Sequence, residues 1–152
     1  MKTTTKYGQK IDEALSLWVK LTRAYLTFSK KVSENVKSFN LTEPQFGALE
    51  CLGHLGAMPI GTLCNKQLVS GGNMTLVIDN LEKEGLAERI HGKKDRRTIV
   101  VQLTPKGEEL FNSIFIHHAE FITGLASVLS KEEIHQLSSL LKKLGTSINS
   151  DS

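Results

Sequence analysis

The chain has 152 residues, of which 39% are hydrophobic and 23% charged, which is typical of one globular domain. The chain has only three prolines and contains no low-complexity tract, and both facts argue against extensive disorder. No apolar run approaches the ~20 residues that a membrane span needs. The polar first nine residues lack the apolar region of a secretory signal, and two cysteines are too few for a disulfide scaffold. We therefore expect a cytoplasmic protein with reduced thiols.

The net charge of +3 is modest, but the charge is unevenly distributed. Between Arg89 and Arg97, five cations stand against one acid, and three of the four arginines lie there. Arginine binds phosphate and bases through a planar fork, so the cluster is a hint of nucleic-acid binding. A solvated charged turn is the commoner alternative for an isolated charge run.

A long first helix is predicted from about Ile11 to Phe39, where apolar residues recur at helical spacing and no Gly or Pro interrupts them. Such a helix spans about 40 Å at 1.5 Å per residue, which is longer than the core of a small domain needs. We expect it to pack against another chain or a second long helix.

Three shorter helices are predicted next. Thr42 and Gln45 have the spacing of a capping box at the start of the first, and Ser70 is a suitable N-cap for the third. Gly85 suits the position that ends the third helix. The expected bounds are Gln45–Leu55, Ile60–Leu68 and Gly71–Glu84, and the residues that the third helix buries are Met74, Val77, Ile78 and Leu81.

A hairpin and two further helices complete the chain. Strands are predicted at Leu86–Ile90 and Ile99–Leu103, joined by the basic turn Gly92–Arg97. Thr104 and Pro105 begin a helix that runs to about Val128, and a second capping box at Ser130 opens a last helix to about Ile148.

This order predicts a mainly α fold with a small β-hairpin. Residues 41–104 form a winged helix-turn-helix, and residues 10–39 and 106–148 form a dimerisation layer, all within one domain over 1–152.

The run from Asn73 to Leu110 resembles the MarR family (multiple-antibiotic-resistance regulators) of bacterial transcription factors. Three motifs carry the resemblance: Leu81-Glu82-Lys83-Glu84-Gly85-Leu86, Asp95-Arg96-Arg97 and the "LTPKGEEL" segment from Leu103 to Leu110. Each motif alone is weak, whereas the three together are specific, and the order of elements agrees over nearly the whole chain. The resemblance implies a DNA-binding regulator, and repression is the commoner mode in that family.

The N-terminal residues of a recognition helix contact base edges in the major groove. Asn73 is suited to adenine, and Thr75 and Leu76 to thymine methyl groups, although an ordinary exposed helix turn is the alternative. The expected recognition-helix contacts are Gly71, Gly72, Asn73, Thr75 and Leu76, and the expected phosphate contacts on the preceding helix are Thr62, Lys66 and Gln67.

In the wing, we expect Arg97 to enter the minor groove, whose negative potential attracts a guanidinium. Asp95 lies two residues earlier, so in an extended strand both side chains share one face and the carboxylate orients Arg97. The resembled family assigns the matching Asp and Arg the same roles. Lys93, Lys94 and Arg96 are expected to bind phosphates.

Surplus apolar residues on the first helix and the last two predict a homodimer. A twofold dimer places two recognition helices about one DNA turn apart, so we expect a pseudo-palindromic operator in double-stranded DNA.

In the resembled family, a ligand or an oxidant acts between the dimerisation helices and the DNA-binding lobe. Aromatic residues favour a phenolic, salicylate-like effector here, with plain core packing as the alternative for each of them. The pocket candidates are Trp18, Tyr25, Phe46, His54 and Phe115. Cys51 and Cys64 are the candidates for a redox switch, although neither lies on the first helix, where the peroxide-sensing branch of the family carries its cysteine.

No catalytic motif, metal-ligand spacing or cofactor-binding loop is recognisable, so we expect no enzyme, no metal and no cofactor. A protein-interaction module whose wing contacts an acidic partner is the remaining alternative.

Overall fold

The computed structural model describes residues 6–67 and 71–149. The predicted N-cap Ser70, the predicted helix end at Leu68 and the last three residues of the tail lie outside the described residues. The elements are α1 (Gln9–Ser38), α2 (Glu43–Leu55), β1 (Met58–Pro59), α3 (Ile60–Gln67), α4 (Gly71–Lys83), β2 (Ala87–His91), β3 (Ile99–Leu103), α5 (Pro105–Ala126) and α6 (Lys131–Asn149). The predicted mainly α fold with a winged helix is confirmed, and the predicted helix bounds that fall within the described residues differ from the observed ones by at most two residues.

The sheet differs from the predicted hairpin because it has three strands, in the order β1-β3-β2. Both neighbours run antiparallel to β3, and Val101 on β3 lies opposite Met58 on one side and Arg89 on the other. The sequence does not predict β1, because a strand of two residues is too short to show an alternating pattern. Pro59 is tolerated there because β1 is an edge strand.

Internal contacts divide the chain into two compact units, one up to His118 and one from Ala119 onward. The first unit contains α1 to β3 and the start of α5, and its core lies where α2, α3 and α4 meet the sheet. The largest fully buried side chains are Val36, Leu49, Leu63, Met74, Ile78, Leu81 and Val101. The prediction that α4 buries Met74, Val77, Ile78 and Leu81 is confirmed.

Local hydrogen bonds explain where the helices begin and end. The Gln45 N–H donates to Thr42 Oγ1 (3.3 Å) and the Thr42 N–H to Gln45 Oε1 (2.9 Å), which completes the predicted capping box. Gly85 ends α4 with φ +71°, and its N–H and that of Leu86 donate to carbonyls of the last helical turn. The Thr104 hydroxyl then donates to the Gly85 carbonyl (2.6 Å), which holds the start of α5 against the end of α4.

The two terminal helices leave apolar side chains exposed. Only Asp12 and Val36 of α1 are buried, and every side chain of α6 from 131 to 148 is exposed. None of the helices within the described ranges combines the length and the apolar character that crossing a membrane requires. The exposed large apolar residues are Ile11, Leu15, Leu17, Trp18, Tyr25, Leu26 and Phe28 on α1, and Ile134, Leu137, Leu140, Leu141, Leu144 and Ile148 on α6.

Candidate nucleic-acid interface

The start of α4 presents the predicted reading residues to solvent. Met74 and Val77 face the core, whereas Asn73 and Leu76 on the opposite side are exposed. Gly71 begins the helix, and Gly72 and Thr75 are exposed with the other two. A buried and an exposed side on one short helix is the arrangement that a recognition helix needs.

The predicted phosphate contacts on α3 divide into two groups. Thr62 and Lys66 are exposed, so both are accessible to a phosphate. Gln67 is half-buried and lies against α2, where a Cβ on Gly47 would overlap its Oε1. Gln67 therefore contacts the protein itself, and its amide is less accessible than the other two side chains.

The wing turn between β2 and β3 is closed by hydrogen bonds. The Gly92 N–H donates to the Thr98 carbonyl (2.7 Å), and the Thr98 N–H donates to the Asp95 carbonyl (3.1 Å). A Cβ on Gly92 would lie 2.9 Å from that same Asp95 oxygen, so only glycine fits this position without a shift. His91 Nδ1 lies 2.8 Å from the Arg96 carbonyl oxygen, a further contact across the turn that the sequence did not reveal.

The expected role of Asp95 needs correction. Its Oδ1 accepts a hydrogen bond from the Arg97 backbone N–H (2.9 Å) rather than from the guanidinium. Residues 93–98 form a turn and not an extended strand, so the two side chains do not share one strand face. An Asp side chain that bonds the backbone two residues later stabilises such a turn. Asp95 therefore orders the loop that presents Arg97.

The cationic cluster is also smaller than the sequence suggests. Lys93, Lys94, Arg96 and Arg97 are exposed, and within the described ranges none of them forms an ion pair. Arg89 belongs to the same cationic run of the sequence, but its guanidinium is paired with Asp79 (2.7 Å) and Glu82 of α4. The charge available to a partner therefore lies in the turn.

The predicted pocket residues do not lie together in one place. The His54 ring packs edge-on against Phe115, with centroids 4.5 Å apart, and also against Phe111. Phe46 is buried between Phe39 and His118. Trp18 and Tyr25 are 65% and 68% exposed on α1, and neither makes a ring contact with a described residue.

A separate cleft of about 530 Å³ lies between the end of α2, the start of α5 and the strands β2 and β3. None of the five predicted pocket residues lines it. Its polar lining includes Glu88, Gln102, Glu108 and Asn112.

His118 is a buried polar residue that the sequence did not single out. Its Nδ1 lies 2.8 Å from Asn35 Oδ1, which accepts a hydrogen bond from the Nδ1–H tautomer. Burial lowers the pKa of His118, and the nearby Glu50 carboxylate opposes that shift. Its spacing from Phe111 and Ile114, which are also buried, was the signal that placed it on the inner face of α5.

Both cysteines are buried, with Cys51 6% and Cys64 8% exposed, and neither forms a disulfide. Cys51 Sγ lies 3.9 Å from the thioether sulfur of Met58. Over residues 6–67 and 71–149, no group of three or more His, Cys, Asp or Glu side chains is arranged to hold a metal ion.

A helix-turn-helix that exposes one side of its second helix, next to a hairpin with a cationic tip, defines a winged-helix DNA-binding protein. Comparison with known proteins agrees with this class. The profile of the MarR family matches residues 41–99. The chain is 35% identical over 134 residues to the HTH-type transcriptional regulator MhqR of Bacillus subtilis (strain 168). The match covers 88% of this chain and 92% of that protein.

The chain therefore belongs to the MarR family and is a DNA-binding transcriptional regulator. Its named relatives are transcriptional regulators and not enzymes.

Two solved structures extend the comparison. BpsR of Bordetella bronchiseptica, whose DNA binding is regulated by 6-hydroxynicotinic acid, is 27% identical with a TM-score of 0.74, and the match covers 86% of this chain and 98% of that one. A cysteine-to-serine mutant of MarR from E. coli, solved with operator DNA, has a TM-score of 0.75 at 22% identity, with 90% of this chain and 99% of that one covered. The second likeness shows the fold alone.

Proposed function

We propose that the protein is a dimeric repressor that binds a pseudo-palindromic operator and is released by a small phenolic ligand. The observation that carries the proposal is that α4 exposes Asn73 and Leu76 while the adjacent wing turn exposes four cations that form no ion pair with any described residue. Such a protein acts in the cytoplasm, where the DNA is.

In this proposal, the start of α4 contacts bases through the residues already named, from Gly71 to Leu76. Arg97 enters the minor groove, because its guanidinium is exposed and its backbone is held by Asp95. The remaining wing cations bind phosphates, as do Thr62 and Lys66 on α3.

Dimerisation is inferred from the exposed apolar residues of α1 and α6. On α6, Leu137, Leu141 and Leu144 recur at spacings of three and four, so they form one apolar stripe. A stripe of this kind on a helix that buries none of its residues from 131 to 148 supports burial against a second copy. Two copies would carry two recognition helices, and this favours an operator with two half-sites.

The phenolic ligand is inferred from the aromatic contacts beside α5. His54 is exposed and Phe115 half-buried, so a planar ring has access to both. BpsR, whose DNA binding is regulated by 6-hydroxynicotinic acid, supports a ligand that combines an aromatic ring with a hydroxyl and a carboxylate. Trp18 and Tyr25 are exposed on α1 and take no part in these ring contacts, and Phe46 is buried, so the proposal rests on His54 and Phe115.

The redox alternative has less support. A reactive thiol needs exposure and a cationic neighbour, and both Cys51 and Cys64 are buried. We therefore treat the two cysteines as packing residues.

The test is the binding of purified protein to duplex DNA from upstream of its own gene, measured by fluorescence anisotropy over a salt series. We expect tight binding that weakens steeply with salt, because phosphate contacts release counterions. A duplex of the same composition in scrambled order is the control. Equal affinity for both duplexes would contradict operator recognition and favour the protein-interaction module.

The ligand is tested on the same complex with salicylate and 4-hydroxybenzoate as probes. We expect one of them to release the operator from the wild type and to act more weakly on the His54→Ala variant. Peroxide treatment in parallel separates the redox alternative. Loss of binding on oxidation, reversed by a thiol reductant, would assign the sensor to Cys51 or Cys64 instead.

A further inference from the structure

We propose that Arg89, Asp79 and Glu82 form a clamp that fixes the base of the wing against the recognition helix, so that these residues position the wing without contacting DNA. The inference rests on the proposed DNA contacts of α4 and the wing. It assigns Arg89, a residue in the cationic run of the sequence, to a different task from its neighbours.

The clamp joins the two elements that read DNA. Arg89 lies on β2, and its guanidinium donates to Asp79 Oδ1 at 2.7 Å and to Glu82 Oε2, both on α4. The Arg89 backbone N–H also donates to Glu82 Oε1 at 2.9 Å. Glu82 therefore holds both the main chain and the side chain of Arg89, and the strand cannot slide along the helix without breaking these bonds.

The charge balance argues against a direct phosphate contact by Arg89. Its side chain is 25% exposed, and two carboxylates already accept hydrogen bonds from its guanidinium. Binding a phosphate would require Arg89 to leave both of them, and the freed carboxylates would then repel the DNA. By contrast, the four cations of the wing turn have no such partner within the described ranges.

The position of Arg89 along β2 determines how far a movement at the clamp displaces the wing tip. Arg89 lies opposite Val101, which is fully buried, so it marks the point where the wing leaves the core. The turn begins four residues further on, which is about 13 Å at 3.3 Å per residue. A rotation of about 10° at the base would move the tip by about 2 Å, enough to break a hydrogen bond to a phosphate or base.

The clamp and simple electrostatics predict opposite signs for Asp79→Asn. This variant removes a negative charge close to the DNA, so electrostatics alone predicts tighter binding. A positioning role predicts weaker binding, by roughly tenfold, because the charge-assisted hydrogen bond from Arg89 becomes a weaker neutral one when the carboxylate is replaced by an amide. We would measure operator affinity by anisotropy for Asp79→Asn, with the conservative variant Asp79→Glu expected to restore part of the loss.

Glu88→Gln is the matched control. Glu88 is an exposed acidic residue on β2. Its carboxylate accepts a hydrogen bond from the Gln102 amide (2.8 Å) and takes no part in the clamp. We expect its affinity to equal or slightly exceed that of the wild type. Asp79→Asn binding as well as or better than the wild type would overturn the clamp.

A second measurement asks whether the clamp acts through the wing. In the Asp79→Asn background, Arg97→Ala should lower operator affinity by a factor about ten times smaller than it does in the wild type, because the wing is already displaced. Additive losses would contradict the proposal, and Glu88→Gln with Arg97→Ala should be additive. If Asp79→Asn does not fold, Arg89→Lys replaces it in these experiments. Lysine keeps the positive charge but lacks the planar fork with which arginine bridges two carboxylates. Wild-type operator affinity in Arg89→Lys would overturn the clamp.

The clamp and the proposed function fail separately. The wild-type preference for operator over scrambled duplex tests the function, whereas the sign of the Asp79→Asn change relative to the wild type tests the clamp.

Discussion

The DNA-binding lobe and the last helix differ in how much of their apolar surface one chain buries. The lobe from α2 to β3 places Leu49, Leu63 and Ile78 entirely out of solvent. The helix α6 exposes every side chain from 131 to 148, including Leu137 and Leu140. One chain therefore suffices for the lobe's core, while α6 has an apolar stripe that we infer a second chain covers.

Local hydrogen bonding follows the same division. In the lobe, side chains join different elements, as in the Arg89–Asp79 pair and the Thr104–Gly85 bond. In α6, the described side-chain bonds lie within the helix or its own cap, such as Glu133 with Ser130 and Thr146 with the Lys142 carbonyl. Contacts between elements thus fix the arrangement of the lobe, whereas the bonds named for α6 stabilise that helix itself.

The largest effect should come from the core of the lobe. Leu49→Ala removes a fully buried side chain and leaves a cavity, so we expect a loss of about 2–5 kcal/mol in the free energy of unfolding. Chemical denaturation would measure it. Leu55→Ala, on the same helix but exposed, should change stability by no more than about 0.5 kcal/mol. Equal losses for the two variants would contradict the burial that distinguishes the lobe.

The next effect tests whether a second chain covers the exposed apolar residues of α6. Leu140→Glu places a charge among the apolar residues of α6, so we expect sedimentation to show a monomer at micromolar concentration. Operator affinity should fall by about 100-fold, since a monomer cannot occupy both half-sites at once. Ser139→Glu adds the same charge on the other side of the helix and should leave the dimer intact. A Leu140→Glu dimer would mean that α6 has a different partner.

A smaller effect is expected at the wing tip, where function and stability separate. Arg97→Ala should lower operator affinity by about 1–3 kcal/mol. Thermal unfolding should stay unchanged, because the Arg97 side chain is exposed and its backbone bond to Asp95 persists. Lys31→Ala removes an exposed cation from α1 and should leave affinity unchanged. Unchanged affinity in Arg97→Ala would contradict the minor-groove assignment.

Much of the fold was predictable because its signals are local. The capping boxes at Thr42 and Ser130 and the helix end at Gly85 depend on residues a few positions apart, and all three are present. The short strand β1 was not predictable in the same way. Its two residues become a strand only by pairing with Val100 and Val101, some forty positions later.

The candidate site was predictable in composition but not in pairing. The exposure of Asn73 and the wing cations follows from helical periodicity and turn chemistry. The pairing of Arg89 does not, because its acids lie ten and seven positions earlier on another element. The spacing of Asp79 and Glu82, three residues apart on one helix, was a signal for a shared partner, yet it did not identify which cation they bind.

The smallest expected effect concerns His118, which contacts α1 and α2 through Asn35 and Phe46. Burial lowers the pKa of His118 in the folded protein, whereas in the unfolded chain it has the ordinary value of about 6.5. Below that pH, the unfolded chain takes up a proton that the folded chain resists. Stability should therefore decrease as the pH falls from about 6.5 toward the lower folded pKa, by at most about 1.4 kcal/mol per pH unit.

Denaturation curves between pH 8 and 5 would measure this slope. The His118→Gln variant should lose much of it, because glutamine does not titrate, while His54→Gln, which changes an exposed histidine, should retain it. Parallel curves for wild type and His118→Gln would mean that the pH dependence arises elsewhere. A slope that His118→Gln removes would instead show that contacts between α1, α2 and α5 depend on a neutral imidazole, and would place that dependence in the first unit and not in α6.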